Sequence, residues 1–245
     1  MEGLSLFKRN SGPFWEAGGF GSYLILALLF NLLLEKKLLT KRNVIFILAL
    51  ITTWSTGALA ALSALLFLYG TFILRNKNYR FIIVPMVVLL SFYGYTDLSF
   101  IKERIDRSVT YFKDRNQTEY QKRDRMVSAI VDLRTFVQYP VFGTGRKFEA
   151  RFGKTNMTIM EHRNNGITDF LVKYGIFFFI FYFWNIRKGY LFYSQSYTNK
   201  PKIYGNIALI TILLIGFSQT LFQQSAFIAL FYLSSFLPKP GLNKI

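Results

Sequence analysis

The chain has 245 residues, of which 52% are hydrophobic and 18% aromatic; it carries a net charge of +17 and no cysteine. The absence of cysteine excludes a disulfide framework and a thiolate metal site. The number of long apolar runs excludes an ordinary soluble domain, since a run of about 18 or more apolar residues without charge matches the hydrocarbon thickness of a bilayer.

In chain order, apolar segments predict membrane spans at 17–34, 43–53, 57–74, 81–96, 169–186, 203–219 and 221–237. No signal-peptide pattern precedes them. The second span is short and is expected either to tilt or to form a tight hairpin with the third through Trp54, Ser55, Thr56 and Gly57. The basic residues sit in short clusters between spans: Lys36, Lys37, Lys41 and Arg42; Arg75, Lys77 and Arg80; Arg187, Lys188, Lys200 and Lys202; Lys239 and Lys244. Clusters of this kind mark cytoplasmic loops rather than a nucleic-acid-binding surface. Roughly seven crossings put every cluster on one side, whereas merging the second and third spans would put the first two clusters on opposite faces. The N-terminus and residues 97–168 then lie outside and the C-terminus inside.

The expected fold is therefore all-α: a polytopic membrane helix bundle with one long, partly helical extracytoplasmic loop. Residues 1–96 carry the first membrane helices, 97–168 the loop and 169–245 the last membrane helices, together one integral membrane domain. Within the loop, Thr118 to Tyr139 reads as an amphipathic helix. Met126, Ile130, Leu133 and Val137 recur at helical spacing, Arg123, Asp124, Arg125 and Asp132 point elsewhere, Thr118 caps the start and Pro140 ends it. A turn region punctuated by glycine follows, "PVFGTGRKFEARFGK". No internal repeat is present.

Several chemistries are struck out by spacing. "GTGRK" lacks the spacing of a phosphate loop, and neither D-x-D nor H-E-x-x-H occurs. Among ionisable residues only Lys173 falls clearly inside a predicted span, near its outer end. A pump or exchanger needs such groups near mid-membrane, so a transporter or flippase is the weaker alternative. Polar chemistry gathers instead on the outer face, in "EHRNNGITDFLVKYGIFFF", which holds the chain's one histidine, His162. A lipid-tailed substrate with a phosphate-linked head would meet the protein at that boundary. Arginine suits such phosphates, because its planar fork forms bidentate, charge-assisted hydrogen bonds. Arg9, Arg125, Arg146, Arg151 and Arg163 all lie outside under this topology.

Four segments, "RNSGPFWEAGGFGSYL", "WSTGALAAL", "YPVFGTGRKFE" and "NNGITDFLVKYGI", follow one another in the order seen in the O-antigen ligase and O-antigen polymerase superfamily, which the chain resembles along nearly its whole length. It departs from that pattern in three places. It has fewer helices than family members, so it looks like the C-terminal half of a longer protein. It has Glu16-Ala17-Gly18 where many relatives have Glu-Pro-Gly, and the usual His-Asn pair aligns with Asn164-Asn165, leaving His162 two residues early.

The resemblance implies glycosyl transfer at the outer face of a bacterial plasma membrane. The donor would be a glycan on polyprenyl diphosphate, and the acceptor a second lipid-linked repeat unit or, for a ligase, another carrier lipid. Polymerisation in surface-polysaccharide assembly is the first expectation and ligation the second. Arg9, Arg146 and Arg163 are expected to meet the diphosphate, with Arg125 behind them. His162 is the candidate base, with Glu16, Glu161 and Asp169 as alternatives. Asn165 is expected to bind substrate or to cap the helix that follows, and Asp169 to bind substrate or to stabilise that helix's dipole. No metal or cofactor is expected. The partners are the lipid-linked donor, the glycan or lipid acceptor, membrane lipids and other polysaccharide-assembly proteins.

Overall fold

A computed structural model describes residues 9–73, 125–146 and 165–237. Among them the chain forms seven helices and no strand: α1 (Ala17–Glu35), α2 (Lys41–Thr52), α3 (Thr56–Phe72), α4 (Arg125–Gln138), α5 (Gly166–Gln195), α6 (Pro201–Ser218) and α7 (Ser225–Phe236). By length and composition α1, α5 and α6 are able to cross a membrane, and α3 and α7 are shorter apolar helices. With 12 residues, α2 spans only about 18 Å, well short of the roughly 30 Å hydrocarbon core. The predicted span at 81–96 lies outside the described residues. The helices fall into two compact units, Met1–Phe92 with Tyr190–Ile215, and Tyr93–Gly189 with Gly216–Ile245.

In the first unit the joints between helices are closed by short polar side chains. Lys36 ends α1 in the left-handed region, φ 55°, and its N–H donates to the Leu32 carbonyl. Thr40 caps α2 by accepting from Asn43 N–H at 3.3 Å. Asn43 is fully buried; its amide donates to the Lys37 carbonyl at 2.8 Å and accepts from the Asn31 amide at 2.7 Å. Buried amides in an apolar bundle need such pairing, because nothing else there replaces water. Of the two alternatives for the short second span, the tight hairpin with the third is present: Trp54 takes φ 48° and Ser55 caps α3. At Gly21 a Cβ would collide closely with that of Ala58, so this glycine allows α1 to approach α3. Tyrosines fasten further segments to α1: Tyr69 on α3 donates to the Leu32 carbonyl at 3.0 Å, and Tyr204 on α6 donates to the Leu29 carbonyl. Phe30 packs on Tyr190 and Tyr193 at the end of α5.

In the second unit aromatic rings form the core. Phe170, Tyr182, Phe183 and Phe222 are all buried and meet with centroids 4.7–6.2 Å apart. The Tyr182 hydroxyl lies 2.9 Å from the Phe222 carbonyl and 3.0 Å from that of Phe227, which ties α5 to the turn before α7 and to its first residues. A second set of aromatics on α5 faces outward, with Phe177, Phe181 and Trp184 exposed. That is the pattern of a helix with lipid on one side and protein on the other.

One expectation is corrected here. The segment read as one uninterrupted span at 169–186 is a longer helix broken at Gly175, which has φ 74° and ψ 175°. On α4, Leu133 is 47% and Val137 75% exposed, while Asp132, on another face, is fully buried, with Ser128 and Ala129 also buried. Helical periodicity shows that two faces differ, and near a bilayer the apolar face need not be the inner one. The stripe of small and polar residues packs inward because Asp132 accepts a hydrogen bond from the start of α5. Residues 118–124, including the expected cap Thr118, lie outside the described residues, as do the side chains of Met126 and Ile130. The stop at Pro140 agrees with a helix that ends at Gln138.

Candidate functional site: a loop clasped to a broken helix

The third and fourth sequence segments meet through their backbones. After α4 the chain turns at Gly143 (φ 70°) and Gly145 (φ 79°) and runs against the break in α5. Thr144 N–H donates to the Val172 carbonyl at 2.8 Å, and Gly145 N–H to the Lys173 carbonyl at 3.0 Å. In return, Ile176 N–H donates to the Pro140 carbonyl at 2.9 Å. An unbroken α5 would have joined Ile176 N–H to the Val172 carbonyl. The break frees both groups, and the loop takes them up one for one. Such substitution is what allows a helix to be interrupted near a membrane. The approach leaves no room for side chains: a Cβ on Gly175 would strike the Val141 carbonyl, and one on Gly143 the Val172 carbonyl. Arg146 follows Gly145 directly, so its main chain is held to α5 while its side chain stays exposed.

The start of α5 is the other half of the site. Asn165 Oδ1 accepts from Ile167 N–H at 3.1 Å and Thr168 N–H at 3.2 Å, which makes Asn165 the N-cap. Asn165 is fully buried, and its Nδ2 has no hydrogen-bond partner among the described residues. Thr168 donates to Asp132 Oδ2 at 2.8 Å and so fastens α4 to the first turn of α5. Asp169, buried in that turn, is 2.7 Å from Lys173 Nζ, one turn further on. Gly166 is required for packing, since a Cβ there would run into the carbonyls of Gln219 and Gly216.

The first two sequence segments meet in the other unit. Asn10 N–H donates to the Thr52 carbonyl at 3.1 Å, and its side-chain amide to Thr52 Oγ1 at 2.9 Å. Asn10 Oδ1 accepts from Gly12 N–H at 3.0 Å, and Gly12, at φ 52°, lies against the Phe20 ring. The stretch after Arg9 is thus bound to the end of α2, just before the hairpin at Trp54.

Of the candidate residues, Arg125, Arg146, Asn165 and Asp169 belong to the second unit. Arg125 lies on α4, Arg146 follows Gly145 of the clasped loop, Asn165 caps α5 and Asp169 lies on its first turn. Arg9 and Glu16 belong to the first unit; both are exposed, and Glu16 precedes α1 without making a side-chain cap. His162, Arg163 and the alternative base Glu161 lie outside the described residues. Nothing in the sequence signals the pairing of Asp132 with Thr168, and Lys173 stands out there only as a charge within a span. Asp132 and Thr168 are 36 residues apart, and no local spacing pairs them.

Neither a curated protein nor a solved structure matches the chain. Residues 43–183 match the family model described as O-antigen ligase. The match covers more than half of the sequence and takes in the α2–α3 hairpin, the glycine loop and the start and break of α5. The chain, with its membrane-length helices, belongs to the O-antigen ligase family.

Proposed function

We propose that the protein transfers a glycan from a polyprenyl-diphosphate carrier to a sugar hydroxyl at the outer face of a bacterial plasma membrane, extending a surface polysaccharide by polymerising repeat units. The acceptor oxygen attacks the anomeric carbon of the donor as the bond from that carbon to the diphosphate oxygen breaks. The diphosphate leaves with the bonding electrons, and the hydroxyl proton passes to a base. Arginine supplies the positive charge that the leaving group needs, so the reaction runs without a metal. Arg146 and Arg163 hold the diphosphate, with Arg9 and Arg125 as further phosphate contacts. His162 takes the proton, with Glu16, Glu161 and Asp169 as alternatives.

The observation that carries this reading is the clasp. It holds the main chain beside Arg146 rigidly against α5, next to the ion pair of Asp169 with Lys173 and close in sequence to Arg163. Rigid placement of charge is what stabilises a developing oxyanion. The buried Nδ2 of Asn165 is a donor suited to a substrate oxygen at the N-terminus of α5. Ligation is the second reading, favoured by the family's own description.

The test is complementation of a deletion strain with variants, scored by the surface glycan. Arg146→Lys and Arg163→Lys keep the charge but lose the fork, and are expected to remove most long chains at normal protein abundance. His162→Ala is expected to lower the rate by about 10²–10⁴-fold. Turnover by purified protein is expected to survive a strong chelator. The deletion itself leaves single repeat units on the final acceptor if the reaction is polymerisation, and full-length polymer stranded on its carrier if it is ligation. Normal chain lengths in all three variants would place the site elsewhere.

A further inference from the structure

A cavity of about 620 Å³ opens within the first unit, where the C-terminal ends of α1 and α3 meet the N-terminal end of α6. Its inner wall is apolar and aromatic, with Leu33, Ile73 and the buried Tyr69. The Tyr69 hydroxyl is already committed to the Leu32 carbonyl. Its rim is cationic and polar, with the exposed Lys36, Lys200 and Asn199 and the half-buried Tyr197 and Thr198. No carboxylate lines it among the described residues. Glu35, beside Lys36 in sequence, lies 3.6 Å from Arg42.

The charge balance favours a monoanion. Each helix C-terminus presents about half a negative charge, so α1 and α3 together offset roughly one of the two lysines. Lys200 meets the α3 end directly, with Nζ 2.8 Å from the Phe72 carbonyl, and has two further N–H donors. Among the described residues about one positive charge is left over, supplemented by the N-terminus of α6, which begins immediately after Lys200. A phosphodiester carries one negative charge. On the inner wall the Tyr69 and Tyr204 hydroxyls are both taken by main-chain carbonyls of α1, and Leu32, Leu33 and Ile73 suit acyl chain. Both α1 and α6 are long enough to cross a membrane, and the cavity lies at their ends, the depth at which lipid headgroups sit. Basic pockets between membrane helices at that depth take acidic headgroups.

We propose that this cavity binds the phosphate headgroup of an anionic phospholipid, with its upper acyl segment against Leu33 and Ile73, from the leaflet that meets the Lys36 and Lys200 clusters. The site goes beyond the sugar-transfer reading and does not depend on it, because its readout is lipid retention rather than glycan.

The full chain, purified in mild detergent, is titrated with phosphatidylglycerol or phosphatidylcholine and followed by native mass spectrometry and thermal unfolding. One phosphatidylglycerol is expected to be held about ten-fold more tightly than phosphatidylcholine, and to raise the unfolding temperature. Lys36→Asn, which keeps a residue tolerant of the left-handed backbone, and Lys200→Gln are each expected to weaken retention about five-fold, while Lys200→Arg keeps it. Should Lys200→Gln lose its fold along with the α3 contact, Lys36→Asn alone decides. Millimolar inorganic phosphate is expected to leave the lipid bound. Equal retention of the two lipids, or retention unchanged in Lys36→Asn, overturns the proposal in favour of unselective lipid at the surface. Displacement by inorganic phosphate overturns it in favour of a soluble phosphate ligand.

Discussion

Asp132 shows how little of a polar contact is visible from its own neighbourhood. It sits on a helix whose exposed residues include Leu133 and Val137, yet it is fully buried and accepts the Thr168 hydroxyl. A hydrogen bond to a carboxylate acceptor is typically worth about 1.5–3 kcal/mol. Thr168→Val keeps the shape and removes the donor. It is expected to destabilise the protein by about 1–3 kcal/mol and to shorten the surface glycan. Thr168→Ser, which keeps the hydroxyl, is expected to stay near wild type. Thermal unfolding in detergent measures the first effect and complementation the second. A Val variant as stable as the Ser variant would mean that this bond does not hold α4 to α5.

At the scale of elements, the glycine loop and the break in α5 are one construction. The loop supplies N–H groups to Val172 and Lys173, and α5 supplies one to Pro140. Gly175 and Gly145 share a left-handed backbone but differ in their surroundings. A Cβ on Gly175 meets the Val141 carbonyl, whereas one on Gly145 meets nothing within 4 Å. Gly145→Ala therefore carries backbone strain alone, about 1–2 kcal/mol. Gly175→Ala adds a main-chain clash that only separation of the loop from α5 relieves. Gly175→Ala is expected to abolish long chains while much of the protein still inserts, and Gly145→Ala to shorten them modestly. Size-exclusion profiles and glycan length, read together, check the order; equal effects would show that the clasp is not what the activity depends on.

At the scale of the whole molecule, the basic clusters argue for an orientation. Cytoplasmic loops of membrane proteins collect lysine and arginine, and these clusters fall on one side under roughly seven crossings. Tyr120→Cys is then expected to label in intact cells with a membrane-impermeant thiol reagent, and Gln195→Cys to label only after lysis. No native cysteine competes for the reagent. Protection at position 120 with labelling at 195 would invert the orientation.

Much of the helical layout was legible in the sequence, because it depends on local composition. The start of α1 at Ala17, the hairpin around Trp54 and the end of α4 before Pro140 all follow from apolar run length, capping residues and proline. Four short segments carry the resemblance to the family; three of them lie within the family match, and the first precedes it. Tertiary structure alone decided what those segments do to one another. Asn10 ties the first to the residues that precede the second, and the glycine loop ties the third to the fourth. It also broke α5 at Gly175, buried Asp132 instead of Leu133 and opened the lysine-rimmed cavity. The physical reason is common to all of these: a backbone carbonyl released by a break, or a carboxylate on one face of a helix, finds its partner dozens of residues away, and hydrophobic periodicity carries no record of that distance.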